Sequence, residues 1–401
     1  MILTNARLIS PDGIHDGLEV VVERGKIAEI RPPAPIQPSQ PLRRSRRLRR
    51  TGEQTRTSSK DVVDLDGNYL APGFIDLHVH GALGRDTTDS SAEAFRTICD
   101  FHARGGTTSL LLTTATAPLE NIVDVLKAVR DYRSPISAVA GVHVEGPFIS
   151  KAKCGAQRAE FIQDPSPAGV RQLLEYADVI KRVTIAPELP GALEAIESFR
   201  THGVSVSGGH SDAWDEDVRA AFDRGMRSAT HTFNCMSNAR RRGVCRVAGL
   251  LEFALSELKI SCEVIADGHH VSPTLMRMLY RAKGAGGICL VTDATAGAGL
   301  PEGSRFSLFG NECLVEGGVC LLADRSALAG GASRMIDLVR TMVQKVDVPL
   351  HEAVAMATRN PARAIGLEKK GQLTVGADAD FVVLSPELEV LRVSVGGEEI
   401  S

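Results

Sequence analysis

Six side chains in this sequence are of the types that hold a divalent cation: His78, His80, Glu145, His210, His231 and Asp293. Each lies at or just past the end of an apolar, β-branched run. His78 and His80 close Gly73-Phe-Ile-Asp-Leu-His-Val-His, and Glu145 closes Ala138-Val-Ala-Gly-Val-His-Val-Glu. His210 closes Val204-Ser-Val-Ser-Gly-Gly-His, His231 follows Ser228-Ala-Thr, and Asp293 closes Gly287-Ile-Cys-Leu-Val-Thr-Asp. Residues two apart on a strand share a face, so both members of a His-x-His reach one ion. Burying four imidazoles and two carboxylates without a cation would cost several kcal/mol for each unpaired charge. Imidazole with carboxylate suits zinc, iron or a similar first-row ion. A carboxylate such as Asp293 beside that ion can take a proton from water and return it to a departing amine. His143, two residues before Glu145, shares its strand face one layer deeper and reads as a partner of the ligands or as core.

Strand ends that converge on one ion imply a parallel barrel, whose C-terminal mouth carries the chemistry. From residue 70 onward, apolar runs of four to eight residues alternate with longer amphipathic segments. The pattern predicts strands near 73–80, 107–115, 138–145, 183–188, 204–210, 228–233, 261–266 and 287–293. Helices are expected near 91–104, 118–131, 165–181, 190–202, 214–224, 246–257, 273–283 and 333–345. Eight such units in series give an α/β fold, a (β/α)8 TIM barrel over 71–351. Residues 1–70 and 352–401 show short alternating pieces, such as Leu18-Glu-Val-Val-Val-Glu and Phe381-Val-Val-Leu. Both termini are expected to join in one small β-sandwich.

A chain of 401 residues, 43% hydrophobic, has enough apolar content for both units. A net charge of −3 argues against nucleic acid or a membrane surface as a general partner. No run approaches the ~18 apolar residues of a membrane-spanning helix. The residues after Met1 lack the pattern of a signal peptide, and eight dispersed cysteines without a Cys-x-x-Cys pair suggest reduced thiols. A cytoplasmic location is the expectation. Residues 43–60 stand apart: seven Arg and one Lys against Glu53 give +7, leaving −10 on the rest of the chain. The stretch 38–60 reads as a disordered basic insert, or as an anion-attracting arm; it has no interleaved aromatics for base stacking.

Longer motifs carry a resemblance. Leu70-Ala-Pro-Gly-Phe-Ile-Asp-Leu-His-Val-His-Gly and Gly371-Gln-Leu-Thr-Val-Gly-Ala-Asp-Ala-Asp resemble the amidohydrolase superfamily. His143-Val-Glu-Gly-Pro-Phe, Gly209-His-Ser, Thr230-His-Thr-Phe-Asn, Ala266-Asp-Gly-His-His, Val291-Thr-Asp-Ala and Leu328-Ala-Gly-Gly resemble its N-acetylglucosamine-6-phosphate deacetylase branch. The likeness spans about 1–35 and 61–401. It implies hydrolysis of an amide C–N bond in an N-acetylated amino-sugar phosphate, with one or two divalent metals per subunit. Glu145, His210 and His231 would hold the principal metal, and His78 and His80 a second. Asp293 would be the catalytic acid and base. Ala156, Gln157, Asn234, Cys235, His270 and the run Leu328, Ala329, Gly330, Gly331 would meet the substrate. Arg242 would reach the phosphate of a neighbouring subunit, which implies a homodimer.

Three positions depart from that pattern. Gln157 replaces a substrate-contacting histidine, Arg240-Arg-Arg-Gly-Val-Cys-Arg replaces an Arg-Glu-Pro-Gly, and the second strand ends Leu112-Thr-Thr-Ala-Thr. Substrate choice is therefore less fixed than reaction type. Two alternatives follow: an amidohydrolase acting on another N-acylated sugar or amino acid without a phosphate requirement, and a non-catalytic assembly protein on a decayed barrel. Retention of all six residues weighs against the latter.

Overall fold

The computed structural model describes residues 1–33, 61–134 and 138–400. The basic insert expected at 38–60 lies outside the described residues. Eight parallel strands form the barrel wall: β1 (Phe74–Val79), β2 (Thr107–Thr114), β3 (Ala138–Glu145), β4 (Ile180–Ile185), β5 (Ser205–Gly208), β6 (Ser228–Ala229), β7 (Ser261–Val264) and β8 (Ile288–Leu290). They pair in sequence order from β1 to β8. The barrel closes at its C-terminal end, where the Asp293 amide donates to the His78 carbonyl (2.9 Å) and the His80 amide to the Ala294 carbonyl (2.8 Å). Two site residues thus sit on the seam itself.

Helices cover the outside: α1 (Ala92–Ala103), α2 (Leu119–Asp131), α3 (Pro167–Leu174), α4 (Ala192–Thr201), α5 (Asp215–Arg224), α6 (Leu250–Ser256), α7 (Pro273–Lys283) and α8 (Met335–Val346). Ser91 caps α1 by accepting from the Ala94 amide, and Ser166 with Pro167 starts α3 in the same way. The apolar stripes of these helices pack on the strands in one large core that includes Phe95, Ile98, Leu126, Leu173, Phe199 and Leu338.

The fourth βα unit differs from its expected bounds. The third helix ends at Leu174 rather than 181, and β4 runs 180–185 rather than 183–188. Arg182, which falls between the expected helix and the expected strand, is fully buried within β4 and forms an ion pair with Glu263 at 2.7 Å. A charged residue that finds its partner across the barrel carries no local sign of being inside.

The two termini build a separate eight-stranded sheet. Its strands are Ile2–Ser10, Gly13–Glu23, Lys26–Arg31, Val62–Asp64, Tyr69–Pro72, Phe381–Leu384, Val390–Val395 and Glu398–Ile400. Tyr69–Pro72 joins the halves, parallel to Ile2–Ser10 and antiparallel to Phe381–Leu384. Leu3, Leu8, Val20, Val22, Ile27, Leu70, Phe381 and Val383 pack into their own small core, as a sandwich beside the barrel requires. Gly73 links this sheet directly to β1, and a Cβ there would fall 2.2 Å from Thr108 Oγ1. Residues 352–380 do not join the sheet as strands. Helices α9 (Leu350–Ala357) and α10 (Arg359–Ala364) occupy its start, and Asn360 of α10 donates to the Ala285 and Ile288 carbonyls under β8. Between β8 and α8 a three-stranded antiparallel sheet (Arg305–Leu308, Asn311–Glu316, Val319–Leu322) stands where the sequence suggests no element.

Candidate active site

The six candidate ligands meet at the C-terminal mouth of the barrel. His78 lies in β1 with His80 just after it, and Glu145 is the last residue of β3. His210, His231 and Asp293 follow β5, β6 and β8 in left-handed backbone conformations, with φ of 46°, 29° and 48°. Such conformations cost a non-glycine residue roughly 1–3 kcal/mol and persist where the surrounding structure holds them. Here they turn three side chains inward just as the strands end. The two glycines before His210 have a steric cause: a Cβ on Gly209 would lie 2.6 Å from the Thr230 Cβ.

Two groups of three face each other, Glu145 with His210 and His231, and His78 with His80 and Asp293. Glu145 lies between them. Its Oε1 is 3.2 Å from His210 Nε2, 3.1 Å from His231 Nε2 and 3.3 Å from His78 Nε2. Its Oε2 is 3.1 Å from His80 Nε2. Asp293 Oδ1 is 3.4 Å from His78 Nε2 and 3.3 Å from His80 Nε2. Burial alone would lift the Glu145 carboxyl, but the imidazoles of His78 and His210 hold it well below the usual range. Burial is likewise outweighed at Asp293, which His78 and His80 hold at about 2. His80 is raised to about 9 because Asp293 and Glu145 outweigh its desolvation.

These residues fit a divalent cation. The His210 Nδ1 donates to the Lys153 carbonyl at 2.8 Å, so in the neutral ring Nε2 would present a lone pair to a cation. That lone pair lies 3.0 Å from His231 Nε2 and 3.2 Å from a carboxylate oxygen. Acceptors converging on one point call for positive charge between them, and a nitrogen–oxygen donor set suits a first-row divalent ion. No lysine enters the ligand set from β4, so Glu145 is the carboxylate placed to serve both groups.

Beneath the ligands, His143 is buried and neutral. Burial, together with the charges of His78 and Arg182, pushes it well below its ordinary value. Its Nδ1 donates to the Leu77 carbonyl (3.2 Å) and its Nε2 meets Thr184 Oγ1 (2.8 Å). Hydrogen bonds continue from Thr184 to Thr230 (2.8 Å) and on to Ser207 (2.6 Å). The ring stands edge-on to His78, centroids 4.6 Å apart, and so supports a ligand without being one.

A cavity of about 230 Å³ opens above the ligands. Its walls include Ala156, Gln157, Asn234, Cys235, His270, Leu328 and Gly330 of the residues expected to meet substrate. Asp267 accepts from the His270 Nδ1 at 2.7 Å and from the amides of His269 and His270, which fixes the ring and leaves Nε2 for a ligand. Ala329 and Gly331 do not line the cavity. They brace the loop bearing Asp293: the Gly331 amide donates to the Asp293 carbonyl (2.7 Å), and Thr295 Oγ1 donates to the Ala329 carbonyl (3.0 Å). A Cβ on Gly331 would sit 2.1 Å from the Thr292 carbonyl oxygen, which explains the second glycine of that motif.

Two further expected substrate contacts are engaged by other protein side chains or backbone. Arg242 lies on an exposed hairpin (Arg240–Arg242 with Cys245–Val247), paired with Glu216 and stacked over Trp214 at 4.8 Å. It does not line the cavity of its own chain. Gln157 lines the cavity, but both ends of its amide are engaged by the protein: Nε2 donates to Glu145 Oε2 (2.7 Å) and Oε1 accepts from the Thr116 amide (2.8 Å). The sequence also passes over Thr295, Ile265, Leu308 and Phe309, all in the cavity wall. Leu308 ends the first strand of the unforeseen sheet and Phe309 begins the turn to the second, where Phe309 has φ 53° and lies edge-on to His80 at 5.3 Å. The pair Phe309-Gly310 was the one local signal for that hairpin. A larger cavity of about 850 Å³ shares the Phe309 wall but contains none of the six candidate ligands.

Comparison with known proteins agrees with this geometry. Residues 69–400 match the Amidohydrolase family. The N-acetylglucosamine-6-phosphate deacetylase of Lysinibacillus sphaericus is 33% identical over 393 residues, covering 97% of this chain and 94% of its own. The N-acetylgalactosamine-6-phosphate deacetylase of Escherichia coli O157:H7 is 35% identical over 342 residues, 84% of this chain and 89% of its own. The crystal structure of N-acetylglucosamine-6-phosphate deacetylase from Pasteurella multocida superposes with a TM-score of 0.87 at 32% identity, covering 100% of this chain and 99% of that one. With its barrel, its two facing ligand groups and these relatives, the chain belongs to the amidohydrolase family.

Proposed function

We infer that the chain hydrolyses the acetamide of N-acetylglucosamine 6-phosphate, giving glucosamine 6-phosphate and acetate. The observation that carries the reading is the set of six convergent ligands under a small cavity, in a chain aligned over 97% of its length with a deacetylase of that substrate. Glu145, His210 and His231 would hold the principal cation, and His78 and His80 would hold a second if one binds. When bound, the cation polarises the acyl carbonyl and activates water for attack. Asp293 accepts the proton of that water at its carboxylate and returns it to the nitrogen as the C–N bond breaks. Its ionised state suits the first of these tasks. His270, oriented by Asp267, turns Nε2 toward the acyl oxygen. Asn234 and the backbone at Cys235 follow a ligand directly and hold the far end of the sugar.

The phosphate needs a cation, and among the described residues no Arg or Lys lines this cavity. Arg242 on its exposed hairpin supplies it to a neighbouring copy, so the active species is a homodimer. Among the described residues, no helix is long and apolar enough to cross a membrane. The location proposed is the cytoplasm.

A second reading keeps the chemistry and changes the substrate to an N-acetylated sugar of another configuration, or one without phosphate. The engaged Gln157 amide and the distant Arg242 favour it, because both remove expected sugar or phosphate contacts from the single chain. Amine release is the test, measured on N-acetylglucosamine and N-acetylgalactosamine, each with and without 6-phosphate, with metal content determined on the same sample. A preference of tenfold or more for N-acetylglucosamine 6-phosphate is expected; equal rates with and without phosphate would install the second reading.

A further inference from the structure

We propose that Gln157 is a positioning residue for the Glu145 carboxylate rather than a contact for the sugar. Gln157 is 7% exposed, and its side chain has little freedom to turn toward a ligand. Its amide spans two fixed points. The Thr116 amide, just past the end of β2, donates to Oε1 at 2.8 Å, which fixes which end of the amide carries hydrogen. The NH2 end then donates to Glu145 Oε2 at 2.7 Å. A hydrogen bond to a charged acceptor is stronger than one between neutral groups, and Gln157 makes it from a buried position.

The consequence is a carboxylate with its two oxygens assigned. Oε1 faces His210, His231 and His78, while Oε2 is held between His80 and the Gln157 amide. Rotating the carboxylate away would break the bond to Gln157 and leave the buried Gln157 NH2 without that acceptor, while its Oε1 stays tied to the Thr116 amide. The second-strand ending Thr113-Thr-Ala-Thr, one of the departures noted in the sequence, therefore connects through Gln157 to the metal-binding groups. A neutral histidine could replace this link, since one ring nitrogen donates while the other accepts. An aliphatic side chain of the same length could not.

This inference rests on Glu145 being a metal ligand, and the experiment separates the two. Full-length protein purified with zinc is titrated against a chromophoric chelator, and KM and kcat for N-acetylglucosamine 6-phosphate are measured in parallel. Groups that orient metal ligands are typically worth 10- to 100-fold in metal affinity. Gln157→Met should therefore weaken zinc retention by about 10- to 100-fold, with KM changed less than about threefold. Gln157→His should restore retention to near the parent. Gln157→Glu sets one carboxylate against another and should lose zinc at least as readily as the Met variant. Should Gln157→Met retain zinc as the parent does while KM rises tenfold, Gln157 is a substrate contact and the proposal is overturned. If the Met variant does not fold, the Glu variant decides: zinc retention equal to the parent rejects the proposal. Glu145→Gln is the control. Unchanged zinc retention there would remove the metal reading itself, whereas lost zinc in Glu145→Gln with none lost in the Gln157 variants would remove only this inference.

Discussion

Two buried polar layers lie one above the other in the barrel, and they handle charge in opposite ways. In the lower layer Arg182 and Glu263, both fully buried, neutralise each other at 2.7 Å, and Glu263 also accepts from the His231 amide at 3.4 Å. Burial raises the Glu263 carboxyl, but Arg182 holds it below the usual range. In the upper layer, six donors point at one another with no side-chain cation except protonated imidazole to relieve them. The lower layer carries its counter-charge within the protein, with Glu263 Oε2 also 3.7 Å from His78 Nδ1, and the upper one is a candidate site for a cation from solution. A buried charge is structural when its partner is built in, and functional when the partner must come from solution.

The sharpest way to break this contrast is Asp293→Asn. The upper layer keeps its shape but loses its proton carrier, so turnover should fall by about 100- to 10,000-fold while zinc and thermal midpoint stay near those of the parent. Turnover within tenfold of the parent would remove Asp293 from the mechanism. The lower layer predicts the reverse. Glu263→Gln leaves Arg182 buried without a counter-charge and should cost about 3–5 kcal/mol of stability in urea unfolding, the usual penalty for breaking a buried pair. If that variant is as stable as the parent but has lost its metal, the two layers are one system.

Arg242 lies outside both layers and tests the assembly. Arg242→Ala should raise KM for the phosphorylated sugar by about tenfold, the loss of one charge-assisted bond, and leave the unphosphorylated one unchanged. Mixed dimers of Arg242→Ala and Asp293→Asn should regain a site that neither parent variant has; an active monomer in sedimentation would contradict the shared pocket.

The smallest effect concerns a buried histidine that serves neither layer. Burial pushes His102 down to about 4, with the Arg334 charge acting in the same direction. The native state therefore binds fewer protons than the unfolded chain between pH 4 and 6.5. Stability from this group is full above pH 6.5 and is lost as pH falls toward 4, by up to about 3 kcal/mol. His102→Gln should lose less stability than the parent between pH 7 and 4.5, measured by urea midpoints; an unchanged acid slope would refute this.

The catalytic mouth was the most legible part of this chain. Ligand type, strand-end placement and the His-x-His spacing are local, and they identified all six residues now found within reach of one another. The barrel was equally legible, because each βα unit carries its own period. Less could be read wherever a residue's role depended on a distant partner. Arg182 fell between an expected helix and an expected strand, and nothing near it in sequence pointed to Glu263. The sheet from Arg305 to Leu322 is built of strands of four to six residues, too short for their alternation to stand out, yet it supplies Leu308 and Phe309 to the cavity.

By itself, then, the sequence determined the chemistry available, the order of elements and the face on which the ligands would emerge, since these follow from residue type and short-range periodicity. Only the tertiary structure decided which oxygen of Glu145 faces which histidine, and that the Gln157 amide is tied to Thr116 and Glu145. It alone placed Arg242 away from its own cavity. The physical reason is common to all three: hydrogen bonds and ion pairs between segments tens of residues apart act over about 3 Å, and no local pattern encodes a distance that only folding creates.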